Sequence, residues 1–149
     1  MLFSAKCEYG IRAMLDLALR EEDRPVGVRT IADRQGISEG FLEQVFADLR
    51  KARLVESVRG SRGGYLLTRS PREITLAQIV EAIDGPMVTA SCVPGGGHGG
   101  CRQEDLCALQ EVWAGVAECV TQALGEITLE GMRERQRRKG HFFGGGAAG

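Results

Sequence analysis

Apolar residues recur at helical spacing from the start of the chain. Ile11, Met14, Leu15, Ala18 and Leu19 fall at i, i+3, i+4, i+7 and i+8, which predicts an amphipathic helix over 5–20 with Ser4 as its N-cap. The stretch EEDRP (21–25) ends it, because a proline disfavours helix at the residue before it. A short helix follows near Val28–Arg34, with Ile31 and Ala32 inside and Gly36 as its stop. Ser38 then caps a helix that runs to about Ala52 and lays Phe41, Leu42, Val45, Phe46 and Leu49 on one face. Two helices joined by a short glycine-containing turn, the second capped and polar outside, are the sequence form of a helix-turn-helix.

Leu54–Val58 and Tyr65–Thr68 read as two short strands, with Gly60, Gly63 and Gly64 punctuating the turn between them. A hairpin after the second helix of such a unit is a wing. Arg59 and Arg62 stand at its tip, where long cationic side chains reach phosphates or a narrow minor groove. A further amphipathic helix over 75–83 is capped by Thr75 and closed near Asp84-Gly85-Pro86. Glycine-rich sequence over 91–107 reads as a loop. From Asp105 the pattern returns: Leu106, Leu109, Trp113, Val116, Val120 and Leu124 form one apolar stripe, with Glu104, Glu111, Glu118 and Glu126 outside it. A helix of that length spans roughly 30 Å. The preceding domain offers little surface to cover it, so packing on a second copy is expected.

The expected fold is therefore mostly α with a small β-hairpin, a winged helix-turn-helix domain plus a long dimerisation helix. Its parts are a DNA-binding domain over 1–84, a Gly/Cys-rich loop over 85–107, the dimerisation helix and a following turn over 105–131, and a basic, flexible tail over 132–149. Aromatic residues make up only 5%, so the core must be aliphatic.

Charge sharpens the DNA reading. The formal net charge is −1, but residues 50–72 carry a net of +6 and residues 73–131 a net of −8. A polyanion responds to charge within about a Debye length, so the basic segment can bind nucleic acid although the whole chain is nearly neutral. No apolar run is long enough to span a bilayer. Lys6 and Glu8 stand where an export signal needs apolar residues, so a cytoplasmic protein is expected. No catalytic triad, nucleotide loop or pair of catalytic acids occurs, and His98 and His141 are the only histidines. The chain does not read as an enzyme.

Five cysteines in such a chain suggest reduced thiols and metal or redox chemistry. Cys92, Cys101 and Cys107 are spaced C-x8-C-x5-C within the loop, and their thiolates can converge on one soft metal centre. Cys92, His98, Cys101 and Cys107 together make a Cys₃His zinc set, with Glu8 and Gln110 as more distant candidates for a further ligand. Zinc sites usually contain close C-x2–4-C pairs, which are missing, whereas an iron–sulfur cluster tolerates wide spacing. A cluster-free regulator whose thiols form disulfides is a further possibility, as is a redox or metal protein whose winged domain binds protein. Cys7 and Cys119 lie beside apolar helix faces and read as small core residues.

The segments YGIRAMLDLAL (9–19), ISEGFLEQVFADLRKARLVESVRGSRGGYLL (37–67) and ITLAQIVEAIDG (74–85), with the cysteine loop, resemble the Rrf2 family of bacterial winged-helix transcription regulators, which includes IscR and NsrR types. The resemblance covers residues 1–131 and implies a homodimer on a palindromic double-stranded DNA operator. It implies that Glu43 and Gln44 face the major groove, that Arg59 enters the minor groove, and that Ser38, Glu39 and Phe41 begin the recognition helix. Ser61 and Arg62 complete the candidate DNA contacts at the wing tip. It also implies an iron–sulfur cluster, 2Fe–2S or 4Fe–4S, held by Cys92, Cys101 and Cys107, through which redox state, nitric oxide or cluster status is sensed. The loop departs from the usual C-x5-C-x5-C, and Gln110 stands where IscR types carry a histidine. Glu8 stands where NsrR types take an acidic ligand from the partner subunit, which makes it the favoured extra ligand and His98 the alternative.

Overall fold

The computed structural model describes residues 3–20, 24–86 and 107–140. Helix α1 (Ala5–Ala18) begins where Ser4 Oγ accepts the Cys7 amide at 3.0 Å. Asp84 reaches back to that cap, taking the Ser4 amide at 2.9 Å and the Ser4 hydroxyl. Helix α2 (Val28–Gln35) stops at Gly36, which adopts a left-handed φ of +66°. Helix α3 (Glu39–Lys51) is capped by Ser38, whose Oγ accepts the Phe41 amide at 3.2 Å. Met14 of α1, Ile31 of α2, and Leu42, Val45, Phe46 and Leu49 of α3 are fully buried in one aliphatic core with Ile74 and Ile79. Helix α1 packs closely at Gly10, where a Cβ would meet Val45 Cγ1 at 3.2 Å and would push aside Ile83 Cδ1, the end of a flexible side chain, at 2.1 Å.

Strands β1 (Val55–Val58) and β2 (Gly64–Leu67) pair antiparallel in the register Val55↔Leu67 to Val58↔Gly64. A third, one-residue strand not expected from sequence completes the wing. Val26, just before α2, exchanges two backbone hydrogen bonds with Tyr65, at 3.0 and 2.9 Å. Gly64 makes this approach possible: its φ is +150°, and a Cβ there would lie 2.3 Å from the Val26 carbonyl carbon. Gly64→Ala combines a strained φ with a backbone clash and is expected to cost about 2 kcal/mol or more. Urea unfolding at neutral pH measures it, and an unchanged midpoint would mean the wing is not clamped there.

After a 3₁₀ turn at Pro71–Glu73, closed by a Ser70/Glu73 capping box, helix α4 (Leu76–Asp84) starts from Thr75. Its own capping box pairs Thr75 Oγ1 with the Gln78 amide and Gln78 Oε1 with the Thr75 amide. Helix α5 (Ala108–Glu126) is the long apolar-striped element, and it packs on α4. Its C-terminal end is stapled to the start of α4: the Leu76 amide donates to Ile127 O and the Leu129 amide to Ile74 O, both at 2.8 Å. Among the described residues, no helix is long and apolar enough to cross a membrane.

Two expectations are corrected. The basic, flexible tail expected over 132–149 is instead helical through residue 139, as part of α6 (Leu129–Lys139). Thr128 caps this helix, Leu129 is fully buried, Met132 packs on the core, and Arg133 donates to the Ala18 carbonyl that ends α1 at 3.2 Å. With only those two apolar anchors in a run of charge, the helical period is hard to see. Cys119, expected in the core, is exposed, because α5 packs one side on α4 and leaves the other uncovered. Cys7 is buried against Val80 and Leu124, and burial, reinforced by Asp84, pushes its thiol up to about 12. It stays a neutral thiol at neutral pH.

Candidate nucleic-acid interface

Helix α3 buries its apolar face and turns Glu39, Glu43 and Gln44 outward, beside the exposed cap residue Ser38. A hydroxyl that accepts a cap bond still has its proton to donate, so Ser38 can serve both the helix and a ligand. Phe41 is only half-exposed. Its ring meets Tyr9 of α1 edge-on at 5.8 Å, and the Arg12 guanidinium lies 5.5 Å from the Tyr9 ring centre. Phe41 therefore fixes the N-terminal end of α3 against α1. Tyr9 and Arg12 escaped the sequence reading, since nothing in periodicity marks two side chains that cross between helices. Lys6 of α1 pairs with Asp48 of α3 at 2.5 Å. Its hydrogen bond holds the Asp48 carboxyl below the usual carboxylate range, so this second tie is ionised at neutral pH.

The wing is locked to the same helix. Phe46 and Tyr65 stack with ring centres 4.3 Å apart and planes 15° apart. At the tip, Gly60 takes a φ of +116° and its carbonyl accepts the Gly63 amide at 3.0 Å. A Cβ on Gly63 would sit 2.1 Å from the Val58 carbonyl oxygen, so the reversal needs glycine there. Arg59, Ser61 and Arg62 are exposed around this turn. Arg50, Lys51 and Arg53, also exposed, extend the positive surface to the C-terminal end of α3. Buried Asp16 of α1 anchors the other helix of the motif by accepting from Arg34 at 2.9 Å; burial raises its carboxyl while Arg34 opposes the shift.

A polar helix face beside an arginine-tipped wing is a geometry many winged proteins share, and comparison with known proteins narrows it. The family described as Rrf2, iron-dependent transcriptional regulator, matches residues 3–135. The chain belongs to the Rrf2 family. Its relatives include the HTH-type transcriptional regulator IscR of Xenorhabdus nematophila, 40% identical over 136 residues, which span 91% of this chain and 81% of that protein. IscR of Klebsiella pneumoniae is 41% identical over 129 residues, or 87% and 77% of the two chains. Among solved structures, CymR, the global cysteine regulator of B. subtilis, superposes with a TM-score of 0.75 at 30% identity, covering 91% of this chain and 98% of CymR. T. potens IscR gives 0.73 at 36% identity, covering 95% and 93%.

As an Rrf2 protein the chain is a bacterial transcription regulator with a DNA-binding winged helix, not an enzyme. Its candidate metal ligands are placed less completely. Cys92, His98 and Cys101 lie outside the described residues. Cys107 is half-buried at the N-cap of α5, where its side chain makes no capping bond. Glu8 is exposed in the first turn of α1, and its amide donates to the Ser4 carbonyl. Because Asp84 grips Ser4, the turn bearing Glu8 sits where the chain leaves α4 for the cysteine segment. Among the described residues no three His, Cys, Asp or Glu side chains converge on a metal position.

Proposed function

We propose that this Rrf2 protein acts in the cytoplasm as a homodimer on a palindromic operator, with α3 in the major groove and the wing tip in the adjacent minor groove. The observation that carries the reading is the outward face of Ser38, Glu39, Glu43 and Gln44, tied by the Phe46–Tyr65 stack to the wing that bears Arg59, Ser61 and Arg62. Each type suits its place. Glu43 accepts from a cytosine amino group, Gln44 pairs with an adenine edge, Arg59 enters a narrow minor groove and Arg62 meets phosphate. Ser38 and Glu39 add contacts at the helix start, and Phe41 orients them through Tyr9. Dimerisation is supported by the uncovered side of α5, where Leu109, Val112 and Val116 are 54%, 57% and 40% exposed.

Sensing falls to the cysteine segment. Three thiolates from Cys92, Cys101 and Cys107, with Glu8 of the partner subunit as the further ligand and His98 as the alternative, are a soft donor set suited to an iron–sulfur cluster of the 2Fe–2S or 4Fe–4S type. The placement of Cys107 and the exposure of Glu8 fit that assignment. Such a cluster supplies electron-transfer and ligand-exchange chemistry when bound. The chain's own residues connect the site to DNA. Cys107 begins the dimer helix, the Ile127–Leu76 bond ties that helix to α4, and α4 packs on α1 and α3. A change in the Cys107 end of α5 relative to α1 then alters the spacing of the two α3 helices on their half-sites.

Anaerobically purified protein is expected to contain both iron and acid-labile sulfide, and Glu8→Ala to change its absorbance spectrum while the dimer stays intact. Zinc without sulfide, perturbed by His98→Ala and not by Glu8→Ala, would replace the cluster with the Cys₃His zinc site.

A further inference from the structure

Tyr9 carries a hydroxyl that the fold does not use. Its half-buried ring is held from two directions, by Phe41 edge-on at 5.8 Å and by the Arg12 guanidinium at 5.5 Å. A phenylalanine would make both contacts. The Tyr9 hydroxyl has no hydrogen-bond partner among the described residues and remains open to water.

Its place beside α3 gives that donor a use. At about 100° per residue, Phe41, Val45 and Asp48 share one flank of α3, and this flank meets Tyr9, Gly10 and Lys6 of α1. Phe46 lies on the opposite flank, stacked on Tyr65 of the wing. Glu43 and Gln44 stand exposed between the two, Glu43 nearer the wing and Gln44 nearer α1. A helix about 10–12 Å across fills a major groove about 12 Å wide, so each flank of α3 comes beside one DNA backbone. The wing addresses the first backbone. The second passes on the α1 side, where Phe41 holds Tyr9 at the N-terminal end of α3. We propose that the Tyr9 hydroxyl donates to a phosphate of this second backbone, with Phe41 and Arg12 as positioning residues. Tyrosine has few side-chain torsions, and a ring already gripped loses little further freedom on contact. Within the DNA reading above, on which this rests, the hydroxyl and the wing anchor α3 from both sides. Together they fix its roll in the groove, and so the reach of Glu43 and Gln44 to base edges.

Tyr9→Phe removes the hydroxyl and keeps the ring. On a duplex selected by the wild-type protein from a random library, affinity should fall by about tenfold, the scale of one hydrogen bond to a charged group. The melting temperature should hold, and so should the slope of log affinity against log salt, because a neutral hydroxyl displaces no counterion. Ethylation of single phosphates in the duplex locates the contact. The phosphates whose ethylation blocks the wild type should include two groups on each half-site, one lost with Arg59→Ala and the other with Tyr9→Phe. Wild-type affinity in Tyr9→Phe overturns the contact and leaves α3 and the wing as the DNA surface. A loss of affinity with the same blocking phosphates does so too, since it marks a purely structural role. A wild-type protein that selects no duplex overturns the DNA reading itself, and this contact with it.

Discussion

Glutamate at both Val112 and Val116 is expected to turn the proposed dimer into monomers and to lower operator affinity by about a hundredfold or more. The two valines, with Leu109, form the exposed apolar stretch on α5, and neither is needed to hold α5 on α4, a role filled by Leu124 and half-buried Val120. A twofold interface presents the same patch from both subunits, so two substitutions place four carboxylates in it. Removing unpaired charges from water costs several kcal/mol each, which outweighs the burial of a few aliphatic side chains. Exposed Glu111 and Glu118 on the same helix add to the repulsion. A monomer then binds one half-site without the effective concentration that the second half-site provides. Sedimentation of the variant reports the assembly, its circular dichroism reports the fold, and fluorescence polarisation reports the affinity. A variant that stays dimeric would move the interface away from this face.

The second large effect belongs to the wing tip. Replacing Arg59 and Arg62 by alanine should weaken operator binding by about 1–3 kcal/mol for each side chain lost. It should also flatten the dependence of log affinity on log salt by about 0.9 per phosphate contact given up. Both residues are exposed around a turn whose geometry is set by Gly60 and Gly63, so the folded protein should keep its melting temperature. Loss of affinity with an unchanged salt slope would show that the arginines act by something other than meeting phosphates or the groove. Unchanged affinity would remove the wing from the interface.

Much of this architecture was legible because local signals and tertiary packing agree. Ser4, Ser38 and Thr75 each cap the helix they announce, and Gly36 ends α2 in the left-handed conformation its position suggests. The hairpin strands fall within a residue of their expected bounds, with Gly64 rather than Leu54 inside the ladder. What escaped depends on partners distant in sequence. Val26 becomes a strand only because Gly64 lets Tyr65 approach it, and α6 is helical because Leu129 and Met132 find the core and Arg133 finds the end of α1. Cys119 lies outside the core because the helix that carries it is covered on one side only. For the candidate site, the hairpin pattern marked Arg59 and Arg62, and the resemblance to the Rrf2 family marked Glu43 and Gln44. They could not reveal that Phe41 leans on Tyr9, or that Phe46 and Tyr65 join the recognition helix to its wing.

The most direct measurement is selection of binding sites from a random duplex library by the purified full-length protein, followed by titration of the winners. An enriched inverted repeat is expected, with half-sites centred about one helical turn apart, bound with one dimer per site and lost when Gln44 or Arg59 is replaced by alanine. Enrichment of a single unrepeated half-site, or retention of random duplex with no enriched sequence, would contradict a dimer that reads DNA through α3 and the wing.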